Sequence, residues 1–385
     1  MRIALVAGSY RPSMGGLERH VEELAKGLAR RGANVEVLAQ CAPRDPPRVP
    51  RSEGVAVRTF ALSLGDGRSP VAPTLWRELR RTAESFDLVH VHTRDAPLAL
   101  AVARSRPRRL VLTPHASVRH MLRWPYLRAM GAVMSSAALV ICASRVEGES
   151  LAGKFPEAAA RIRAIPVGVD TAAIQTAEAL EVPGTVVLAV GRLEGHRRVD
   201  RAIAAMAGLD PTFTLVTIGT GPQMRRLARH AADLEVSSRV RLLGSLPDAQ
   251  LYRWLRAARV VVALAEHHHS GMQVAKGLAA GSAVVASDIP VHREAAAHAG
   301  GVGVIFVSPE GSPLEVSDAI SRASSAPLGS TAASSLPAWD DVVEETLDHY
   351  GALVHSGSRR DGVPGPSTRR HRPFQRGTTG VGLRE

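Results

Sequence analysis

Short apolar runs of strand length alternate with stretches of helical period along most of the 385-residue chain. In the first half the runs fall at residues 3–7, 35–39, 55–60, 88–92 and 110–113, with helical spacing of apolar residues at 17–31 and 74–85. The alternation resumes with runs at 186–190, 214–218, 240–243, 260–265, 283–287 and 304–307, separated by helical stretches at 200–207, 223–234, 249–258 and 272–280. Strand runs without polar alternation are buried on both faces, which predicts parallel sheets covered by helices. The pattern therefore predicts an α/β protein of two doubly wound halves, joined near residues 169–183.

Length supports the same division, since a domain typically takes about 150 residues. After Ser312 the character changes. Residues 324–337 are rich in Ser, Ala and Pro, residues 339–353 are amphipathic and read as a last helix, and residues 356–385 carry almost no apolar side chains. Disorder is expected for that tail. Its seven Arg against two acids account for +5 of the formal charge of +12, leaving about +7 on the body. Such a balance fits anionic substrates or an anionic membrane surface. The basic residues are 45 Arg and three Lys (Lys26, Lys154, Lys276), a skew that reads as coding bias in a GC-rich, actinobacterial source rather than as nucleic-acid binding.

Cys41 and Cys142 are too few and too far apart to form a disulfide framework, and Cys142 lies in the apolar run 138–143 as a core residue. The N-terminal apolar run is too short for a signal peptide and reads as a strand. No segment approaches the roughly 18 apolar residues of a membrane span, so a cytoplasmic location is expected, with peripheral membrane contact open through the basic and aromatic run 119–128 (RHMLRWPYLR).

Candidate chemistry gathers where runs end and helices begin. Gly15 and Gly16 close the loop after the first run, where glycines let backbone N–H groups approach a pyrophosphate. Gly191-Arg192-Leu193 follows the first run of the second half, with Arg197 five residues after Arg192. Ile218-Gly219-Thr220-Gly221-Pro222 is a further strand-end turn, and Gly244-Ser245-Leu246 another. His115 sits at the carboxyl end of a run. The most informative stretch is 259–294, ARVVVALAEHHHSGMQVAKGLAAGSAVVASDIPVHRE, a run, a loop, a helix and a second run. Such a unit presents its loop and helix N-terminus to ligands at the carboxyl edge of the sheet. The triple histidine 267–269 carries no metal expectation, since adjacent residues diverge and no further ligand cluster accompanies them.

Residues 259–294 resemble the signature of retaining, nucleotide-sugar-dependent glycosyltransferases of family 4, roughly E-G-F-G-L-V-x-L-E-A-M-A-x-G-x-P-V-V-A-S. Gly271, Ala279, Gly281 and Val284 to Ser287 fall in register. The opening SYRPSMGGLERHVEELAKGLARRGANVEVLA is similar to that family's Y-x-P-x-x-G-G-x-E-x-H-V, and Gly191-Arg192-Leu193 with Arg197 to its G-R-L-x-x-x-K-G. The resemblance implies the GT-B fold, two Rossmann-like doubly wound domains facing a cleft: residues 1–170 on the acceptor side, 171–335 on the donor-nucleotide side, and 336–355 as a helix crossing back. It implies that Arg192 and Arg197 clamp the donor diphosphate, that His115 lies near acceptor and transferred sugar, and that Gly15, Gly16, Gly191, Gly221, Leu246, His268, Gly271, Met272 and Lys276 form the donor site. No cofactor or metal is expected beside the nucleoside diphosphate sugar and a hydroxyl acceptor.

His268 and Lys276 depart from the family, standing where its two glutamates would be, with seven residues between them. A lysine offers three donors and no acceptor, so it cannot hold ribose hydroxyls as a carboxylate does. Three readings stay open. The donor is unusual, a dTDP-deoxysugar of antibiotic or other natural-product (for example aminocyclitol) biosynthesis; or the chain is a hexosyltransferase of cell-envelope lipid or polysaccharide assembly; or it is a noncatalytic partner subunit.

Overall fold

The computed structural model describes residues 1–10, 15–41, 51–62, 72–94, 96–115, 126–326 and 335–356. Two sheets organise them. The first contains β1 (Arg2–Ala7), β2 (Asn34–Cys41), β3 (Arg51–Ser52), β4 (Val55–Ala61), β5 (Leu88–Thr93), β6 (Leu110–Pro114), β7 (Leu139–Cys142) and β8 (Ile162–Ala164). Their order is β3-β4-β2-β1-β5-β6-β7-β8, and every pairing is parallel except the short β3–β4 hairpin. The second contains β9 (Thr185–Val190), β10 (Phe213–Ile218), β11 (Val240–Leu242), β12 (Val260–Ala263), β13 (Ala283–Ser287) and β14 (Val304–Val307), ordered β11-β10-β9-β12-β13-β14 and parallel throughout. Both are doubly wound, and the strand order reverses between β1 and β5 in one sheet and between β9 and β12 in the other. Ligands bind beyond the carboxyl ends of the strands at such reversals.

The helix Gly16–Arg30 covers one face of the first sheet through Leu17, Val21, Leu24, Ala25 and Leu28, all buried. The last helix, Trp339–Ser356, leaves the second half and packs into that same core with Trp339, Val342, Val343 and Tyr350. Gly27 permits the contact, since a Cβ there would meet Val343 at 2.5 Å. Burying a side chain of this size stabilises by about 1.5–3 kcal/mol. Tyr350 is fully buried, and its hydroxyl lies 2.5 Å from His90 Nδ1. The two chain crossings between the halves run side by side, joined by Val169 N–H donating to the Pro337 carbonyl at 2.9 Å. No described helix is long and apolar enough to cross a membrane.

Several elements differ from expectation. The joining segment holds a short helix, Thr171–Thr176, and the change of character after Ser312 begins with a regular helix, Pro313–Ser325, whose Ser312 hydroxyl accepts from Glu315 N–H at 3.2 Å. The helices Ala96–Arg104, Tyr126–Ser136, Arg145–Lys154 and Pro290–His298 escaped the periodicity. The first of these, APLALAVAR, is apolar nearly all round and so shows no period. Residues 119–125 of the basic and aromatic run, and residues 357–385 of the tail, lie outside the described residues.

Arg198 adopts left-handed φ 50° and ψ 39°, a conformation that suits glycine and costs another residue about 1–2 kcal/mol. Ion pairs to Glu266 at 2.7 Å and Asp200 at 3.3 Å hold it there. Arg198→Gly and Arg198→Ala both lose these pairs, but only alanine keeps the backbone cost. The glycine variant is therefore expected to be the more stable by about 1 kcal/mol. Equal urea midpoints would remove the strain.

Candidate active site

A cleft of about 480 Å³ opens where the carboxyl edges of the two sheets meet. From the second sheet, the loop after β9 brings Gly191 at φ 134°. A Cβ at Gly219, itself at φ 140°, would collide with the Gly191 carbonyl, so the two glycine loops stack without side chains between them. That stacking positions Arg192 and Arg197. Arg192 is half exposed and pairs with Glu194 at 2.9 Å. Arg197 lies in the short turn Gly195–Arg197 with a buried Nε that has no partner. Burial, reinforced by Arg94 and Arg192, pushes its guanidinium down to about 10 against the pull of Glu194, so it remains charged at neutral pH. A half-buried cation whose inner nitrogen is orphaned is costly and marks a place for an anion.

The loop after β12 ends at the helix Met272–Ala279, whose first residues Met272 and Gln273, with Lys276 one turn on, line the cleft. The helix N-terminus adds partial positive charge on the same side. His268 is half-buried, its Nδ1 held against the Ser270 backbone and its inner Nε2 without a partner. Burial, then Arg197, keeps this imidazole neutral. Lys276 is half-buried, its ammonium lowered by burial and by Arg19 while Asp248 and Asp170 oppose the shift. Those two carboxylates belong to a network across the cleft: Arg19, on the first-sheet helix, pairs with Asp170 at 2.9 Å and with Asp248, and the Tyr252 hydroxyl donates to Asp170 at 2.7 Å.

The first sheet contributes imidazoles. His92 Nδ1 and His115 Nε2 lie 3.2 Å apart, His20 packs edge-on to His115, and His269 approaches His115 from the opposite half. Burial lowers all four, His20 to about 4 and His269 to about 3. His20, His92 and His115 place one nitrogen each within 4.8 Å of one another. A tetrahedral zinc site sets its nitrogens about 3.4 Å apart, so the set reads more simply as hydrogen-bonding groups. His20 Nδ1 and His92 Nε2 are buried without partners.

Among the residues singled out from sequence, Gly15, Gly16, His115, Gly191, Arg192, Arg197, Leu246, His268, Met272 and Lys276 all line this cleft. Gly221 and Gly271 do not. A Cβ at Gly221 would collide with the Leu193 backbone and one at Gly271 with Ala295, so both act in packing beneath the loops. Sequence reading missed Arg19, Arg94, Asp170, Asp248, His269 and Trp339, which also line it. Arg94 was within reach, since it directly follows the carboxyl end of β5.

The halves also meet beside the cleft. Ser144 caps the helix Arg145–Lys154 by accepting from Glu147 N–H at 3.1 Å, and its hydroxyl donates to the His269 carbonyl at 3.0 Å. Glu294 of the second half accepts the first N–H groups of that helix, from Arg145 at 2.7 Å and Val146 at 3.0 Å.

The neutral imidazoles make stability depend on pH. An unfolded histidine takes up its proton near 6.5, whereas His20 and His269 resist until about 4 and 3. Between those values the unfolded chain binds more protons, so stability is full above about 6.5 and falls as pH drops, by up to about 1.4 kcal/mol per pH unit for each such group. The melting temperature is expected to fall steadily below pH 6.5, and less steeply in His20→Gln. Unchanged melting between pH 7 and about 5 would contradict this.

Comparison with known proteins follows the same division. Residues 14–173 match the model of Glycosyltransferase Family 4, and residues 170–333 that of Glycosyl transferases group 1. The chain is 31% identical over 325 residues to the glycogen synthase of Mycobacterium tuberculosis, covering 75% of this chain and 78% of that one. It is 29% identical over 340 residues to the D-inositol 3-phosphate glycosyltransferase of Acidothermus cellulolyticus, covering 75% of each. With the phosphatidyl-myo-inositol mannosyltransferase of Mycolicibacterium smegmatis it shares 28% identity over 310 residues, 76% of this chain and 78% of that one. Among solved structures, the sucrose-phosphate synthase of Thermosynechococcus elongatus superposes with a TM-score of 0.75 at 21% identity, covering 92% and 99% of the chains. Anabaena HepE in complex with UDP and glucose gives a TM-score of 0.72 at 20% identity, covering 91% and 99%. The two facing parallel sheets are thus the GT-B fold, and the chain belongs to the family 4 glycosyltransferases.

Proposed function

We propose that the chain transfers a sugar, with retained anomeric configuration, from a nucleoside diphosphate sugar to a hydroxyl acceptor. The observation that carries this reading is the convergence of Arg192, Arg197 and the N-terminus of the helix Met272–Ala279 on one wall of the cleft. Departure of the nucleotide concentrates negative charge on its diphosphate, and fixed cations with helix N–H groups stabilise that charge as it forms. Arg197 keeps its charge in a half-buried setting where the interaction is less screened than in open solvent. The neutral imidazoles of His20 and His115 line the same cleft as hydrogen-bonding groups for hydroxyls of the sugar or acceptor. The crystallised relative that holds UDP and glucose supports the same class of donor.

For the donor's ribose, the favoured reading is a dTDP-deoxysugar. Lys276 brings no acceptor, and Asp170 and Asp248 are engaged by Arg19, which leaves a ribose 2′-hydroxyl poorly served. A deoxyribose lacks that group. Donors of this kind supply natural-product pathways, including antibiotics. The second reading is a hexosyltransferase of envelope assembly, which the likeness to a phosphatidyl-myo-inositol mannosyltransferase favours. A noncatalytic role would leave the diphosphate wall in place without turnover.

Calorimetry with UDP, GDP and dTDP tests the site, with measurable binding expected and the tightest for dTDP. Arg197→Ala is expected to weaken nucleotide binding about 10- to 100-fold, the loss of one charge-assisted contact. Because that guanidinium is under-paired when the cleft is empty, the same variant should melt no lower than the parent without nucleotide. No affinity for any of the three would end the donor-site assignment. Lys276→Glu is expected to move preference from dTDP toward UDP, and an unchanged ratio would count against the deoxyribose reading. The anomeric configuration of the product, read by NMR, tests retention.

A further inference from the structure

Arg19 stands in the first turn of the helix Gly16–Arg30, and its guanidinium divides between two acids of other elements. One nitrogen lies 2.9 Å from Asp170 and another pairs with Asp248, 229 residues along the chain. Asp170 directly precedes the helix Thr171–Thr176, where the first crossing between the halves ends, and Asp248 opens the helix Asp248–Ala257 of the second half. Glu23, one turn along Arg19's own helix, adds a third carboxylate at 3.5 Å. The Tyr252 hydroxyl donates to Asp170 at 2.7 Å, and the guanidinium carbon lies 6.0 Å from the centre of the Tyr252 ring. One planar group thus joins the first half, the crossing and the second half. The side chains of Arg19, Asp170 and Asp248 are 20%, 15% and 24% exposed, so these pairs are screened less than ion pairs on an open surface.

A guanidinium presents its N–H groups in a fixed fork, so it meets two carboxylates on different elements in one relative placement of those elements. An ammonium is a point donor on a flexible stem and imposes no such angle. Lys276 lines the cleft beside this network, its ammonium acted on by Arg19, Asp248 and Asp170. Two cations therefore face three carboxylates. A carboxylate at position 276 would add a fourth and offer Arg19 a rival partner, whereas lysine leaves Arg19 committed to Asp170 and Asp248. Arg192 and Arg197 belong to the second half and His115 to the first, and all three line the cleft. Whatever fixes the halves also fixes the separation of these groups.

We propose that Arg19 is a positioning residue whose ion pairs with Asp170 and Asp248 hold the empty protein with the two walls of its cleft already in register for transfer. The catalytic purpose of this placement rests on the donor reading above, while the pairing itself is testable with no nucleotide present. Lys276 then has a role in the ligand-free protein, as the neighbour that leaves the pairs of Arg19 undisturbed.

Small-angle X-ray scattering of the full-length protein, without nucleotide and with saturating UDP, tests the proposal. The ligand-free parent is expected to be as compact as the UDP-bound one. Arg19→Gln and Asp248→Asn should each enlarge the ligand-free protein while cooperative melting is kept, and Arg19→Lys should not restore compactness. Lys276→Glu should enlarge it as well, by drawing Arg19 to the new carboxylate. The exchanged pair Arg19→Asp/Asp248→Arg should recover at least part of the compactness, which the loss of a merely space-filling side chain would not allow. Since enlarged molecules must close before both walls engage a ligand, Arg19→Gln should weaken UDP binding roughly three- to tenfold. Equal scattering by the ligand-free parent and Arg19→Gln, compaction of the parent on UDP as large as that of the variant, or no recovery in the exchanged pair would each overturn the proposal. Failure of UDP to bind the parent would count against the donor reading instead, and the ligand-free comparison would still decide the role of Arg19.

Discussion

Parallel strand pairing is the constraint on which the rest depends. In a parallel sheet every strand delivers its carboxyl end to one edge, so every loop that follows a strand arrives on the same side. Two such sheets with those edges facing enclose a cleft made from loops. The reversals between β1 and β5 and between β9 and β12 then select which loops matter. The loops after β1, β5, β9 and β12 carry Gly15, Arg94, Arg197 and His268, and all four residues line the cleft. The burial that holds the strands together thus also determines where the cations stand.

Those cations and imidazoles are held at an electrostatic cost. Arg197 is charged with its Nε unpartnered, and His20 and His268, which also line the cleft, each bury a nitrogen without a hydrogen bond. Polar groups left in this state destabilise the empty protein, and a ligand that satisfies them recovers what their burial cost. The network of Arg19, Asp170 and Asp248 behaves differently, because its charges already satisfy one another across the cleft. The cleft wall is therefore unsatisfied at Arg197 and self-contained near Lys276.

Features encoded by neighbours in sequence were legible. Apolar runs marked most of the strands, and the glycine loops after β1 and β9 were evident because turn chemistry is local. The capping pairs Ser144 with Glu147 and Ser312 with Glu315 were equally local, though the helices they begin were passed over. What could not be read depends on distant partners. Arg19 meets Asp248 across 229 residues, and the imidazole group draws on positions 20, 92, 115 and 269. Each residue alone is an ordinary polar side chain. Only the folded sheets make them a site.

The return of the last helix to the first sheet makes the second half a topological insert. The chain leaves once near Val169 and re-enters near Pro337, and the two passages are fastened to each other by a hydrogen bond. The distance of Arg192 and Arg197 from His115 is thus also governed at two places, by this two-ply strap and by the Ser144–His269 and Glu294–Arg145 hydrogen bonds that clasp the halves beside the cleft.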